Sequence, residues 1–170
     1  KGGYIVSADT WTLDGGAGLD DHLVVTSSEG QVAVFSGTNP SSSNTWALRG
    51  IWNLGEPIGT RSLIKYSGDL LIMTVQGLFP LSKALQSAQV NPDMALTDKI
   101  SRAFTESSQS YKNNFGWDLT FYPQNNQLLV NIPLTEGSES QQYVMNTITN
   151  SWWRFTNINA NCWCTCDGKL

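Results

Sequence analysis

Three cysteines, Cys162, Cys164 and Cys166, alternate over five residues. In a strand, alternate side chains point to one face, so the three thiols would line up. A zinc site built on them needs a fourth ligand, usually Cys or His. The only histidine is His22, remote in sequence. Three reduced, partly buried thiols are the simpler reading, with metal binding as the alternative. An odd count argues against a full disulfide framework and points to a reducing cytosol. A second cluster, Asp14, Asp20 and Asp21, brackets Gly15-Gly16-Ala17-Gly18-Leu19. Three neighbouring carboxylates suit a hard cation such as calcium. The run also matches the start of the calcium-binding nonapeptide of parallel β-helices, which works only by stacking copies. Here there is one copy, and His22 stands where that motif has a bulky apolar residue. A glycine-rich turn feeding the first strands is therefore preferred to a calcium site.

Catalytic constellations are poorly represented. A serine or cysteine nucleophile needs a base within hydrogen-bond reach, and His22 is the sole imidazole. No Gly-x-Ser-x-Gly elbow surrounds any serine. A glycosidase needs two carboxylates facing each other across a sugar. Asp118 with Glu136 or Glu139 could supply them, but nothing in their spacing singles them out. The sequence therefore reads as a non-enzyme without a cofactor. Its seven tryptophans offer a different chemistry. Trp46, Trp152 and Trp153 could stack on sugar rings or pack against a neighbouring sheet or subunit. The adjacent pair Trp152-Trp153 must point to opposite faces of a strand, so one of them leaves the core. Packing is the first reading, since aromatics dominate such interfaces, and a host glycan is the alternative ligand.

The elements that would position these residues are strands. Apolar residues make up 40% of the chain and charged ones 14%, well below the usual ~25% charged. Fifteen glycines join abundant Asn, Ser and Thr, as β-structure with polar turns requires. The net charge is −4 without a basic cluster, which excludes the positive footprint of sequence-directed nucleic-acid binding. No apolar run approaches the ~20 residues of a membrane-spanning helix, and no signal peptide is visible. The first residue is Lys1, and the sequence stops at Leu170 within a strand-like pattern. It reads as a fragment, 1–170, of one domain cut at both ends.

Four polar or glycine pairs each precede an apolar run: Asp20-Asp21, Gly68-Asp69, Asn125-Asn126 and Asp167-Gly168. Hairpin turns demand positive φ, which Gly, Asn and Asp tolerate. Counting from Asp21 to Asp69, Asn126 and Gly168 gives steps of 48, 57 and 42 residues. Propeller blades of four strands recur at about 40–50 residues. A second feature keeps step: Val32-Ala33-Val34-Phe35 leads through a polar loop to Asn44-Thr45-Trp46, and Tyr143-Val144-Met145 leads to Asn150-Ser151-Trp152. Both read strand, polar turn, Asn-[Thr/Ser]-Trp, strand. A helical insertion is predicted at about 83–112, with Ala95, Leu96, Ile100, Ala103 and Phe104 on one face and Asp93 or Thr97 as cap. The predicted fold is all-β: consecutive four-stranded antiparallel blades of a partial β-propeller, about three of them, with that one insertion.

Long segments carry a resemblance. They include Thr10-Trp11-Thr12-Leu13-Asp14-Gly15-Gly16, Phe35-Ser36-Gly37-Thr38-Asn39-Pro40, Gly55-Glu56-Pro57-Ile58-Gly59, Gly68-Asp69-Leu70-Leu71-Ile72-Met73-Thr74 and Gly77-Leu78-Phe79-Pro80-Leu81-Ser82. Together with Asn131-Ile132-Pro133 and Tyr143-Val144-Met145-Asn146, they resemble a family of phage and prophage virion proteins found mainly in short-tailed phages. The resemblance implies a tail or head-to-tail structural component, akin to the propeller subunits of tail nozzles, and implies no catalytic residues. Its partners would be other virion subunits, including copies of itself. It would be made in the bacterial cytoplasm and end in the virion. There a weakly charged, acidic ring would let DNA pass without holding it.

Overall fold

The computed structural model describes residues 3–14, 19–86 and 91–170. Antiparallel strands dominate them and fall into three sheets in chain order. The first contains β1 (Ile5–Asp14), β2 (Leu19–Ser27), β3 (Gln31–Gly37) and β4 (Trp46–Asn53), each paired with the next. The second contains β5 (Leu63–Tyr66), β6 (Asp69–Thr74) and β7 (Gly77–Pro80). The third contains β8 (Asp118–Tyr122), β9 (Gln127–Thr135), β10 (Glu139–Asn146) and β11 (Trp152–Phe155). All three are simple meanders.

Turn chemistry sets these boundaries. Ser67 and Gly68 join β5 to β6 with φ of 47° and 78°, the double positive φ of a two-residue type I′ hairpin. Asn126, at φ 53°, ends the 3-10 turn Pro123–Asn125 and releases β9. Asp167 and Gly168 repeat the first design, at 48° and 71°, inside the small bridge between Cys166 and Lys169. Asp20-Asp21 departs from this pattern. Both residues lie within β2, paired with Leu13 and Thr12, and the Thr12 hydroxyl donates to Asp21 Oδ1 at 2.7 Å. Polar residues on an exposed strand sustain the ladder there. The glycine-rich turn, 15–18, lies outside the described residues.

The second sheet sits between the other two, and β6 shows why. Its sequence, Asp-Leu-Leu-Ile-Met-Thr, is an almost unbroken apolar run, the mark of a strand buried on both faces. Alternation sends Leu70 and Ile72 toward Trp11, Val24, Val32 and Val34 of the first sheet. Leu71 and Met73 go the other way, into a cluster with Leu128, Val130, Ile132, Tyr143 and Met145 of the third. Burying four such side chains contributes on the order of 6–12 kcal/mol. That is comparable with a whole domain's net stability, so β6 joins the three sheets into one body. The leading strands share one side of the stack, with β5 lying against both β1 and β8. Ser7 links the first two sheets there, bonding Thr26 at 2.7 Å and Ser62 at 2.9 Å.

The helical insertion takes the place of a fourth strand beside β7. Helix α1 (Leu81–Ala84) follows β7 directly, and α2 (Ser101–Tyr111) is preceded by 3-10 turns at Pro92–Met94 and Asp98–Ile100. The predicted helix over Ala95 and Leu96 is absent because β7 claims that stretch. Leu96 N–H donates to the Leu78 carbonyl at 2.8 Å, and Leu78 N–H donates to the Thr97 hydroxyl at 3.2 Å. Thr97 therefore satisfies a strand edge and caps no helix. Phe104 of α2 is fully buried and meets Trp117 edge-on, with centroids 6.4 Å apart.

The far face of the third sheet carries Tyr122, Leu129, Val144 and Phe155 beside the buried amides Asn131 and Gln142. Residues 156–170 cross over it and are tied down by polar contacts. Asn131 donates to the Ala160 carbonyl at 2.8 Å, Gln142 and Ser140 both donate to the Ile158 carbonyl at 2.9 Å, and Tyr122 donates to the Gly168 carbonyl at 2.7 Å. The cysteines belong to this segment. Contrary to the strand reading, Cys162 and Cys164 lie outside any strand, and all three thiols are exposed. The chain here follows the hydrogen-bonding groups beneath it, so no ladder imposes two-residue alternation. The far face of the first sheet differs again: Leu48 and Ile51 are 49% and 59% exposed.

Candidate functional site

Trp46 opens β4 at the end of the first sheet, where β3 and β4 are joined by residues 38–45. Three neighbouring strands bring polar and aromatic groups to this corner. The strand register pairs Thr12 with Asp21, His22 with Ser36 and Gly37 with Trp46. One step beyond the His22–Ser36 pair, Asp21 comes level with Gly37. A row thus runs Thr12, Asp21, Gly37, Trp46 across all four strands. Gly37 has no side chain, so a gap separates the carboxylate from the indole. It must be glycine: φ is 138°, and a Cβ would stand 1.9 Å from the Thr45 carbonyl oxygen.

A cleft of about 620 Å³ opens at this gap, lined by Asp21, Ser36, Thr38, Asn44, Trp46 and Arg49, among others. Its wall is braced. Trp46 stacks on Phe35, with centroids 6.0 Å apart and planes within 12°. Arg49 Nε donates to the buried Ser36 hydroxyl. The 38–45 loop is cross-linked to itself through Ser42 N–H to Asn39 O at 3.1 Å, Trp46 N–H to Ser42 O at 3.0 Å and Thr38 N–H to Thr45 O at 3.2 Å. The lining is therefore largely preformed, and it combines one aromatic plane with one carboxylate, one guanidinium and one primary amide.

The tryptophan pair sits at the other end of the stack, so Trp46 does not meet it. Trp152 opposes Met145 on the face toward the second sheet, and its indole N–H donates to the Leu96 carbonyl at 3.1 Å. Trp153 opposes Val144 on the opposite face and is 50% exposed. Both border a shallow hollow of about 270 Å³ with Ile100, Ala103, Tyr143 and Arg154. Tyr143 is already committed, with its hydroxyl 2.9 Å from Ser107 and donating to the Ala103 carbonyl.

Of the calcium triad, Asp21 lies in the Trp46 cleft, and the side chains of Asp14 and Asp20 fall outside the described set. Among the described residues, no three His, Cys, Asp or Glu side chains converge on one point. The carboxylates considered for glycoside cleavage are not brought together. Asp118 pairs with Asn131, whereas Glu139 pairs with Thr135, about 13 Å further along β9 at ~3.3 Å per residue. Asp118 is itself buried, which raises its pKa; Arg61, 3.4 Å away, the Trp163 backbone N–H and Thr120 oppose the rise without cancelling it. Two cleft residues, Asn44 and Arg49, carried no functional reading in the sequence. The Asn-Thr-Trp motif contained the first, while the second emerges only from the β3–β4 register, which is irregular between Val34 and Phe35. No protein-family model and no curated protein matches the chain.

Proposed function

We propose that the chain is a structural module of a tailed-phage or prophage virion, a tail, nozzle or head-to-tail subunit built as a run of β-propeller blades. The observation that carries the architectural half is the stacking of three antiparallel meanders in chain order, with leading strands on one side. Radial repetition of this kind protects sheet edges once a ring closes. Three sheets are too few for a ring, and the uncovered Leu48 and Ile51 would receive the next blade, from the same protein or from another copy. The virion half is supported by the family resemblance of the long motifs. It is compatible with an acidic surface that has no basic cluster beside which DNA would stall.

The test is compositional. Particles induced from the strain that carries the gene would be purified by density gradient and their proteins quantified by mass spectrometry. Peptides of this chain should appear in fixed ratio to the major capsid protein in every particle fraction. Their absence from intact particles would overturn the virion assignment. Salt-sensitive duplex binding by the purified protein would remove the DNA-channel placement alone.

A further inference from the structure

We propose that the cleft at Trp46 is a binding site for a neutral carbohydrate. A sugar ring presents an apolar C–H face and a rim of hydroxyls that both donate and accept. The cleft supplies a counterpart for each. The Trp46 indole, held by Phe35 at 6.0 Å, is a flat apolar platform. Around it stand a carboxylate that accepts, Asp21, a guanidinium that donates, Arg49, and an amide that does both, Asn44. Thr12 occupies only Oδ1 of the exposed Asp21, and Arg49 uses its Nε on Ser36, leaving its two terminal nitrogens as further donors.

Electrostatics selects the ligand class. Among the described residues one carboxylate and one guanidinium line the cleft, so their formal charges offset. A single cation in a chain of net charge −4 is a poor receptor for phosphate-rich polymers. An uncharged, hydroxyl-rich ligand is what remains. Volume agrees: about 620 Å³ lies within the ~300–1,000 Å³ of ligand pockets. The braced 38–45 loop removes part of the ordering cost that binding otherwise incurs. The site lies at the loop end of the sheet, beside the apolar face that a further blade would cover. It is independent of the virion assignment and would stand if that assignment failed.

Isothermal titration and two-dimensional NMR of the chain would be run against maltohexaose, cellohexaose, isomaltohexaose and chitohexaose at millimolar concentration. We expect saturable binding of at least one, with shifted resonances confined to residues around 36–49 and Asp21. Trp46→Ala should weaken that binding at least about tenfold, as loss of a stacking platform does. Trp46→Phe should recover part of it, and Asp21→Asn should weaken it several-fold. Trp153→Ala should leave it unchanged. Thermal melts of each variant separate lost binding from lost fold. Binding that ignores Trp46→Ala and Asp21→Asn, or no binding by any of the four sugars, would overturn the proposal.

Discussion

Truncating either face of β6 should loosen the whole stack and not merely the sheet it faces. Leu71 and Ile72 are adjacent, fully buried, and belong to different clusters, one toward the third sheet and one toward the first. Leu71→Ala and Ile72→Ala each leave a cavity, at a typical cost of about 2–5 kcal/mol. With a urea m-value of about 2 kcal/mol/M, each should lower the unfolding midpoint by roughly 1–2.5 M. Trp11 and Trp117, 6% and 2% exposed, report separately on the two clusters. Incorporation of 5-fluorotryptophan would let 19F NMR follow both in one titration. If β6 makes the stack cooperative, each substitution shifts the Trp11 and Trp117 transitions together. The double variant, losing about 4–10 kcal/mol from a total of roughly 5–15, should be largely unfolded in buffer. A variant in which Ile72→Ala displaces the Trp11 transition and leaves Trp117 in place would show that the sheets unfold independently, and the reasoning would fail.

Other outcomes follow from single sites. Ile51→Lys combined with Leu48→Glu should abolish any concentration-dependent association seen by sedimentation velocity, while monomer stability stays within about 0.5 kcal/mol, as for exposed positions. Gly37→Ala forces a Cβ onto the Thr45 carbonyl and should lower Tm steeply. Gly68→Ala, with nothing within 4 Å of its Cβ, should cost only the ~1–2 kcal/mol of a left-handed L-residue. Because burial raises the Asp118 pKa, the folded state holds its proton after the unfolded chain has released it. Stability should therefore fall as pH rises from the ordinary carboxylate range through the raised value, and Asp118→Asn should flatten that slope in pH-dependent urea melts. Ellman's reagent should titrate all three thiols of the native protein without a slow unfolding phase, since Cys162, Cys164 and Cys166 are exposed.

Strands and hairpins were readable from residues because their causes are local. Gly68, Asn126 and Asp167-Gly168 adopt the positive φ that their types allow, though the turn read at Gly68-Asp69 falls one residue earlier, on Ser67-Gly68, with Asp69 already in β6. Both Asn-[Thr/Ser]-Trp motifs do begin an edge strand, whereas the two-sided burial of β6 shows only with the neighbouring sheets in place. What escaped depends on partners distant in sequence. Asp20-Asp21 looked like a turn until Leu13 and Thr12 drew it into a ladder. The Ala95–Leu96 stretch had helical spacing, but Leu78 offered it a strand edge. The cysteines alternated as in a strand, yet Asn131, Ser140 and Gln142 fix the nearby chain at Ile158 and Ala160. Trp46 and Asp21 were each singled out, for different ligands. Only the register across Gly37 places them on one row.

The two outer faces of the stack are finished differently, and this has a consequence for stoichiometry. One is crossed by residues 156–170 through directional polar bonds, with Trp153 left half-exposed at its edge; the other presents the bare aliphatic side chains of Leu48 and Ile51. A body with a single adhesive side can join a like body only once, back to back about a two-fold axis, and growth then stops. Filaments require two complementary sticky sides. Were Leu48 and Ile51 the sole contact between copies, self-association would end at a pair, and further sheets of a ring would have to come from something other than a third copy.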